Sequence, residues 1–248
     1  MTKKFIFVVG TTFGGQNGPN PLKGIDTVRN HAKLTALAIL AAALCVQGTA
    51  LAGSANLGIQ LSASNNKFTG DLPKEGSWAG ASGFGADLML EWNFADDITL
   101  SFQPGLTPRN GRQDFKEKGV VVASTDYNFD YLTLPLLLRV TTKHDGTRGF
   151  VTAGLEVGFL LGATFDDGTG SQDMEDELKS AVVGAMFGAG SLVPVGGNFL
   201  IFELRYYQGL QDIVDRGSEE SEAGLTSASV KYRGLQLKAG FILTLGGE

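Results

Sequence analysis

Eight segments of this chain alternate, residue by residue, between large apolar side chains and small, polar or charged ones. The clearest segment spans residues 234–245, where Leu235 and Leu237 share one face and Lys238 lies on the other. A period of two is typical of β-strands, in which successive side chains point to opposite faces of the sheet. The alternation predicts strands over residues 56–62, 84–92, 98–103, 132–140, 151–161, 182–192, 200–207 and 234–245.

Charged residues within these strands indicate which face is which. Seven of them alternate with the apolar residues: Asp87, Glu91, Arg139, Glu156, Glu203, Arg205 and Lys238. In a membrane barrel such charges line the interior and the apolar face meets lipid, whereas in a soluble barrel the charges point to water. Strands of about ten residues suit a tilted membrane crossing. We therefore expect an interior charge network and a lipid-facing set consisting of Leu88, Leu90, Leu134, Leu136, Leu155, Leu204, Leu235, Leu237 and Phe241.

The number of strands predicts a closed structure. An even number of antiparallel strands can form a barrel without unpaired edges, and no apolar run after residue 52 approaches the length of a membrane helix. The predicted fold is all-β, an eight-stranded antiparallel up-and-down transmembrane β-barrel preceded by an N-terminal signal peptide. The interior of so narrow a barrel is filled by side chains. There we expect Glu91, Glu156 and Glu203 to pair with cations, drawn from Arg139, Arg205 and Lys238.

The connections between the predicted strands alternate in length. Four are long, at residues 64–82, 104–126, 165–180 and 209–231, and three are short, at residues 94–97, 141–149 and 194–198. Outer-membrane barrels keep short turns in the periplasm and long loops outside, so this sorting favours the membrane interpretation. Trp78 and Trp92 would then mark the outer and inner interfacial belts, with ordinary packing as the alternative.

The N-terminal segment predicts export. A basic segment at residues 29–33 precedes a 13-residue apolar segment at 34–46, and Ala50 and Ala52 are the small residues that signal peptidase reads. Thirteen apolar residues are fewer than the about 20 that a membrane anchor, the alternative, requires. We predict cleavage after Ala52.

Cleavage there divides the chain into an N-terminal extension with signal peptide, residues 1–52, and an outer-membrane β-barrel domain, residues 53–248. Export signals normally begin at their basic segment, yet here 27 residues precede it. We therefore expect translation to start near Val28.

Charge and composition exclude several classes of function. Loss of residues 1–52 removes five Lys or Arg and one Asp, which lowers the net charge from −6 to −10. No nucleic-acid partner is expected, because phosphate binding needs a basic face. Cys45 is the single Cys of the chain, so no intramolecular disulfide forms. His144 alone would remain in the exported domain, inside a predicted turn. We predict no catalytic residue, no metal ligand and no cofactor.

Two of the long connections are acidic. One contains Asp166, Asp167, Asp173, Glu175, Asp176 and Glu177, and the other contains Asp212, Asp215, Glu219, Glu220 and Glu222. Their spacing does not match an EF-hand loop. A solvated, mutually repelling surface is the main prediction, and the alternative is binding of Ca²⁺ or of divalent ions that bridge to lipopolysaccharide.

Two short blocks of the predicted strands are distinctive: DYLTLPLLLR at residues 130–139 and LSFQPGL at 100–106. They resemble the YLEIPLLLKY and LQPGL strands of the PorT-like outer-membrane β-barrel family of Bacteroidetes-type bacteria. GLEVG at 154–158 and ELRYYQGL at 203–210 resemble the next blocks in order. The resemblance spans residues 55–245 and implies an eight-stranded outer-membrane barrel. Some members of that family take part in secretion or gliding machinery.

The chain departs from the family pattern in two places. Members of the family usually end in an aromatic residue that the barrel assembly machinery recognises during insertion, whereas this chain ends in LGGE. TPRNG at residues 107–111 replaces the YSQKG block that follows Pro-Gly in the family. The resemblance implies the barrel assembly machinery as a partner during insertion.

The predicted function is a structural or interaction role without catalysis, carried by four extracellular loops. The expected partners are outer-membrane lipid and lipopolysaccharide, together with a protein partner at the loops. Two alternatives stay open at this point: a narrow outer-membrane channel, and a soluble periplasmic lipocalin-like barrel that binds a small apolar ligand.

Overall fold

The computed structural model describes residues 55–70, 76–142, 146–214 and 229–245. These residues form an 11-stranded antiparallel sheet and one 3₁₀ helix, Glu175–Glu177. The strands are β1 (Ala55–Gly70), β2 (Gly76–Ala95), β3 (Ile98–Phe102), β4 (Gly105–Pro108), β5 (Gly111–Glu117), β6 (Val120–Thr141), β7 (Arg148–Asp166), β8 (Ser171–Asp173), β9 (Ala181–Val195), β10 (Asn198–Gly209) and β11 (Val230–Leu245). In the part of the chain so described, no helix has the length and hydropathy of a membrane crossing.

The sheet closes on itself as a barrel of eight positions. β1 pairs with β2 on one side and with β11 on the other. β2 pairs with β3, β4 and β5, and all three pair with β6. The ring continues through β7, β9 and β10 back to β11. β8 lies outside the ring as a short addition to β7. The predicted all-β, eight-stranded antiparallel barrel is confirmed.

Three strands share one position of the ring because proline interrupts it. Pro104 has no N–H to donate, and β3 ends just before it. Backbone pairing nevertheless continues across both gaps, at residues 103–104 between β3 and β4 and at residues 109–110 between β4 and β5. Gln103 N donates to Pro135 O at 3.0 Å, and Arg109 N donates to Phe129 O at 2.7 Å. The chain therefore keeps one inward-facing phase, on the odd-numbered residues, from Thr99 to Gln113, before a register shift between Phe115 and Lys116.

At the end of the barrel where the long connections are predicted, the strands extend much further than expected. β1 continues to Gly70, and β6 begins at Val120 rather than at residue 132. Lys118 and Gly119 alone join β5 to β6, with φ of 51° and 86°, and paired positive φ values are typical of two-residue hairpin turns. The prediction of a long loop over residues 104–126 is therefore wrong. Polar composition suggested a loop there, but the backbone groups pair across the hairpin.

The two ends of the barrel differ. At one end, which we name the turn end, β2 joins β3 through residues 96–97, β6 joins β7 through 142–147, and β9 joins β10 through 196–197. Ala55 and Leu245, paired with each other, also lie there. At the opposite end, the loop end, lie the hairpin of β5 and β6, the connection with β8 and the 3₁₀ helix, and the ends of β10 and β1.

The predicted boundary at Ala52, the basic segment at 29–33 and the start near Val28 lie outside the described residues, as does His144.

Candidate functional site

All seven charged residues predicted for the interior point into the barrel. Together with Arg109 they form a group that we name the interior charge cluster, and each member has at most 3 % of its surface exposed. Four members are acidic and four are basic. Charges removed from water to this degree require partners, because an unpaired buried ion is very costly.

Glu91 on β2 and Arg139 on β6 form a bidentate ion pair across β3, which lies between these two strands. Arg139 Nη1 and Nη2 donate to Glu91 Oε1 and Oε2, each at 2.7 Å. The Ser101 hydroxyl adds a bond to Glu91 Oε1 at 3.4 Å. Bidentate pairs of this type are strong and geometrically specific, so the pair ties β2 to β6.

Arg205 connects this pair to the opposite wall. Its Nε and Nη2 donate to Glu203, at 2.9 and 2.6 Å, and Nη2 also donates to Gln103 Oε1 at 2.8 Å. Gln103 in turn donates to the Ser101 hydroxyl at 2.9 Å. A continuous hydrogen-bonded chain thus runs from β6 through β2 and β3 to β10. It holds the lumen closed with directional contacts rather than leaving it open.

Two further ion pairs complete the cluster. Lys238 Nζ donates to Asp87 Oδ2 at 2.6 Å across β1, and Arg109 Nη2 donates to Glu156. The prediction that Glu156 pairs with Arg139, Arg205 or Lys238 is therefore wrong in its partner, because Arg109 lies in the region predicted as a loop. Arg109 follows the odd-numbered inward phase that Ser101 and Gln103 begin, and extending that phase past Pro104 would have identified it.

Arg109 also sits in an aromatic cage. Its guanidinium lies 3.6 Å from the centroid of the Tyr207 ring, 5.6 Å from Tyr131 and 5.8 Å from Tyr232. Cations over aromatic faces gain electrostatic stabilisation, most of all where water is excluded. Gly184 makes room for this arrangement, since a Cβ at that position would collide with the Tyr207 ring.

Towards the loop end the interior becomes apolar. Six rings pack edge to face or tilted against one another, with centroid distances of 4.9 to 6.3 Å, and we name them the aromatic layer: Phe68, Trp78, Tyr127, Phe129, Tyr131 and Tyr232. Trp78 is 9 % exposed and belongs to this layer, so the alternative of ordinary packing holds for it and the prediction of an outer belt residue is wrong.

Side chains from the loop-end connections cover the aromatic layer. Met174 and Leu178 flank the 3₁₀ helix, and Ile213 and Val214 follow β10; all four are buried in the same apolar cluster. Leu178 and Val214 also form a β-bridge. A smaller apolar cluster near the turn end contains Met89, Phe150, Leu192, Ile201 and Ile242. The described interior is thus filled by side chains along its length.

The outer face carries the apolar residues. Leu136, Leu155, Leu204, Leu235 and Leu237 are each about half exposed or more, and Leu88 is exposed as well. Leu134 and Phe241 lie on the same face at intermediate exposure. Leu90 also faces outward, but only 7 % of its surface is exposed, because Leu57 and Phe102 flank it on the neighbouring strands. A soluble lipocalin-like barrel would reverse this arrangement, so that alternative is wrong.

Three of the described acidic residues at the loop end, Asp166, Asp167 and Asp173, accept hydrogen bonds within local turns. The Asp167 carboxylate accepts bonds from the Thr169 hydroxyl at 2.7 Å and from its N–H at 2.9 Å, and these bonds hold the pKa of Asp167 below its usual value. Asp173 accepts from the Glu175 N–H in the same way. Among the residues that the structure describes, no three side chains are arranged to hold a metal ion.

Solved outer-membrane proteins are similar in structure at low sequence identity. Neisserial surface protein A shares 12 % identity, with 76 % of this chain and 97 % of that chain covered, at a TM-score of 0.44. The attachment invasion locus protein Ail of Yersinia pestis shares 16 %, covering 78 % and 100 %, at 0.39. OprG of Pseudomonas aeruginosa shares 14 %, covering 78 % and 97 %, at 0.44.

Among curated proteins, no sequence relative matches the chain. A family model does match. It describes an outer membrane protein β-barrel domain and covers residues 47–215, which include every barrel position from β1 to β10. The match agrees with the closed antiparallel ring, the charged interior and the apolar outer face. The chain belongs to the outer-membrane protein β-barrel domain family, and the protein is located in the bacterial outer membrane.

Proposed function

We propose that the protein is a closed barrel that presents a protein-binding hairpin at its loop end. The observation that carries this proposal is the tip of β5 and β6. Residues 116–124 are all exposed, and they include three consecutive valines, Val120, Val121 and Val122, with 66 %, 49 % and 61 % of their surface exposed. Exposed apolar side chains grouped in this way mark interaction sites.

The hairpin also has a free edge. β6 pairs with β7 only from Asp126 onward, where it lies opposite Asp166. Residues 120–125 of β6 therefore pair with β5 alone, and their other edge has no neighbouring strand in the described structure. An exposed edge of this length can take up an extended segment of another protein as an added strand, with alternate side chains giving specificity.

The filled interior supports a binding role in preference to conduction. The interior charge cluster and the aromatic layer leave the lumen occupied, and wider barrels are the ones that enclose aqueous channels. A rigid, filled barrel is a suitable base for a projecting hairpin, because binding then orders few additional groups.

Site-specific photocrosslinking in intact cells tests the proposal. A benzophenone amino acid replaces Val121, and the matched control position is Val195, which is 46 % exposed at the turn end. We expect a discrete, light-dependent protein adduct at Val121 and none of the same mass at Val195. A Val120→Ser, Val122→Ser background should weaken the Val121 adduct while the folded barrel keeps its heat-modifiable gel mobility.

Two results would overturn the proposal. Equal adducts at both positions would mean that crosslinking reflects general proximity, and adducts with lipid alone at Val121 would mean that the hairpin binds no protein.

We also propose that the chain belongs to the PorT-like branch of these barrels and that residues 1–52 act as its export signal. The resemblance at residues 130–139 and 203–210 supports the first point, since these blocks fall on β6 and β10, where they supply outward leucines and inward charges together. Export followed by insertion through the barrel assembly machinery would place lipid against the outward leucines. Expression from Val28 with N-terminal sequencing of the mature protein tests the cleavage after Ala52.

A further inference from the structure

Three basic side chains lie together on the outer face at the loop end of β1 and β11. Lys67 pairs directly with Arg233 across the two strands, and Lys231 lies opposite Thr69, two residues further along. Residues directly opposite in an antiparallel pair have Cβ atoms about 5 Å apart, and the next pair on the same face lies about 7 Å away. We name Lys67, Lys231 and Arg233 the rim triad.

The rim triad is not neutralised within the described structure. No described carboxylate forms an ion pair with any of its three members, although four buried pairs and the exposed pair of Arg112 and Asp126 do form. The Asp212 carboxylate, at the end of β10, accepts a bond from Ser229 instead. Like charges placed directly opposite on neighbouring strands destabilise a sheet, so the pairing of Lys67 with Arg233 favours an anion that contacts both.

The position of the triad along the barrel axis indicates which class of anion it can meet. On β11 the outward residues from Leu235 to Leu245 are apolar or small and span 11 residues, which is the length that a tilted strand needs to cross the hydrocarbon. Arg233 is the next outward residue beyond that span. On β1, Lys67 follows Asn65 just above Ala63 and Leu61. The triad thus lies at the level of lipid headgroups in the leaflet on the loop side.

We propose that the rim triad binds the phosphate groups of a phosphorylated glycolipid in the outer leaflet, with its acyl chains against the outward leucines of β11 and β1. The proposal rests on the membrane placement of the barrel and on the loop end facing outward. Arg contacts phosphate through paired donors and Lys as a compact charge. Tyr206 and Gln208, hydrogen-bonded to each other at 2.8 Å beside Arg233 and Leu235, border the site on β10.

Binding of purified lipid A to the refolded full chain in a neutral detergent, measured by native mass spectrometry, tests the proposal. The variant Lys67→Gln, Lys231→Gln, Arg233→Gln removes the three charges. The matched control is Arg112→Gln, an outward cation at the same end that is already paired with Asp126. We expect the triple variant to bind diphosphoryl lipid A about tenfold more weakly or worse, and the control to stay within about twofold of the parent chain.

Two further ligands separate the sources of phosphate. Lipid A stripped of phosphate should bind the parent chain as weakly as diphosphoryl lipid A binds the triple variant. Inorganic phosphate in large excess should leave diphosphoryl lipid A bound. Equal affinity of parent and triple variant, or equal affinity for the two lipids, would overturn the proposal; displacement by free phosphate would show an anion site that does not select lipid.

Failure of this proposal is distinguishable from failure of the hairpin proposal. Heat-modifiable mobility reports whether the triple variant still forms the barrel, and the Val121 crosslink reports protein binding at a separate location. A folded triple variant that keeps both the crosslink and its lipid A affinity would overturn the lipid proposal and leave the hairpin proposal standing.

Discussion

The interior charge cluster and the aromatic layer face the same lumen from the same strands, yet they are opposite in polarity. In the charge cluster, oppositely charged groups such as Arg139 and Glu91 meet at 2.6 to 2.7 Å in directed pairs. In the aromatic layer, rings meet at centroid distances of about 5 to 6 Å in several relative orientations. The first region depends on exact donors and acceptors, and the second depends on volume and burial.

The outer face explains the difference. Around the charge cluster the outward residues are leucines such as Leu155 and Leu204, so the barrel is inside out relative to a soluble protein. Around the aromatic layer the outward residues are polar, as with Arg112, Asn128 and Asp130, and the interior is apolar. The polarity of the wall therefore inverts along single strands, as expected of a barrel whose outer face passes from lipid to water.

The largest expected effect comes from removing one member of a buried ion pair. Glu91→Leu leaves the guanidinium of Arg139 buried without its bidentate acceptor, and breaking such a pair costs about 3–5 kcal/mol of unfolding free energy. Urea unfolding of the barrel in lipid vesicles, followed by tryptophan fluorescence, measures this loss.

The double variant Glu91→Leu, Arg139→Leu is the control for that prediction. Replacing both partners by apolar groups is often neutral, so most of the lost stability should return. A double variant as unstable as the single one would show that the pair stabilises the barrel through its shape. The charge cluster would then depend on volume and burial, as the aromatic layer does.

The charge cluster was largely accessible from the sequence, whereas the aromatic layer was not. Inward charges such as Glu203 and Lys238 interrupt runs of outward leucines, and this contrast fixes the phase of the strand. Beyond the membrane the inward residues are apolar and the outward ones are polar, so Phe68 and Tyr232 lie on the inward face although they are apolar. A pattern that assumes apolar residues on the outside therefore predicts loops for such segments.

The pairing register of the strands is a second feature that the sequence does not reveal. Arg109 reaches Glu156 because β4 and β7 flank β6, and nothing local to TPRNG indicates that neighbourhood. Registers across a barrel depend on strand lengths and on bulges, such as the shift between Asp130 and Tyr131, which the period-two pattern does not reveal.

An intermediate effect is expected from overfilling the aromatic layer. A Cβ at Gly111 would collide with the Phe68 ring, and overpacking a dense core costs about 1–3 kcal/mol. Gly111→Ala should lower the urea midpoint by a matching amount. The matched control is Gly146→Ala at the turn end, where a Cβ would meet nothing within 4 Å and stability should change little.

A smaller effect is expected when one side chain of the aromatic layer is replaced by a smaller apolar one. Phe68→Leu keeps an apolar side chain but removes part of the ring volume, so it should cost about 1–2 kcal/mol, less than truncation to Ala. In the Gly111→Ala background the same change should cost less still, because the smaller side chain relieves the collision. Additive losses in the double variant, measured by the same unfolding assay, would contradict the packing explanation.

The smallest effect is expected from an ion pair of the same chemistry placed in water. Arg112 donates through Nε and Nη2 to both carboxylate oxygens of Asp126, at 2.5 and 3.0 Å, but both side chains are more than 40 % exposed. Exposed pairs contribute about 0.2–1 kcal/mol, so Arg112→Gln should reduce stability several-fold less than Glu91→Leu. This contribution should shrink further at high ionic strength, because salt screens exposed charges.

The pH dependence of this pair has a definite sign. The Asp126 hydrogen bond raises the pKa of Arg112, so the contribution of the guanidinium is complete below its ordinary pKa and is lost only as strong alkali takes the pH through the raised value. A cycle of Arg112→Gln and Asp126→Asn at low and high salt measures the coupling. A coupling as large as that of Glu91 with Arg139, and unaffected by salt, would show that burial is not what separates the two regions, and that the inversion of polarity along the wall has little energetic consequence.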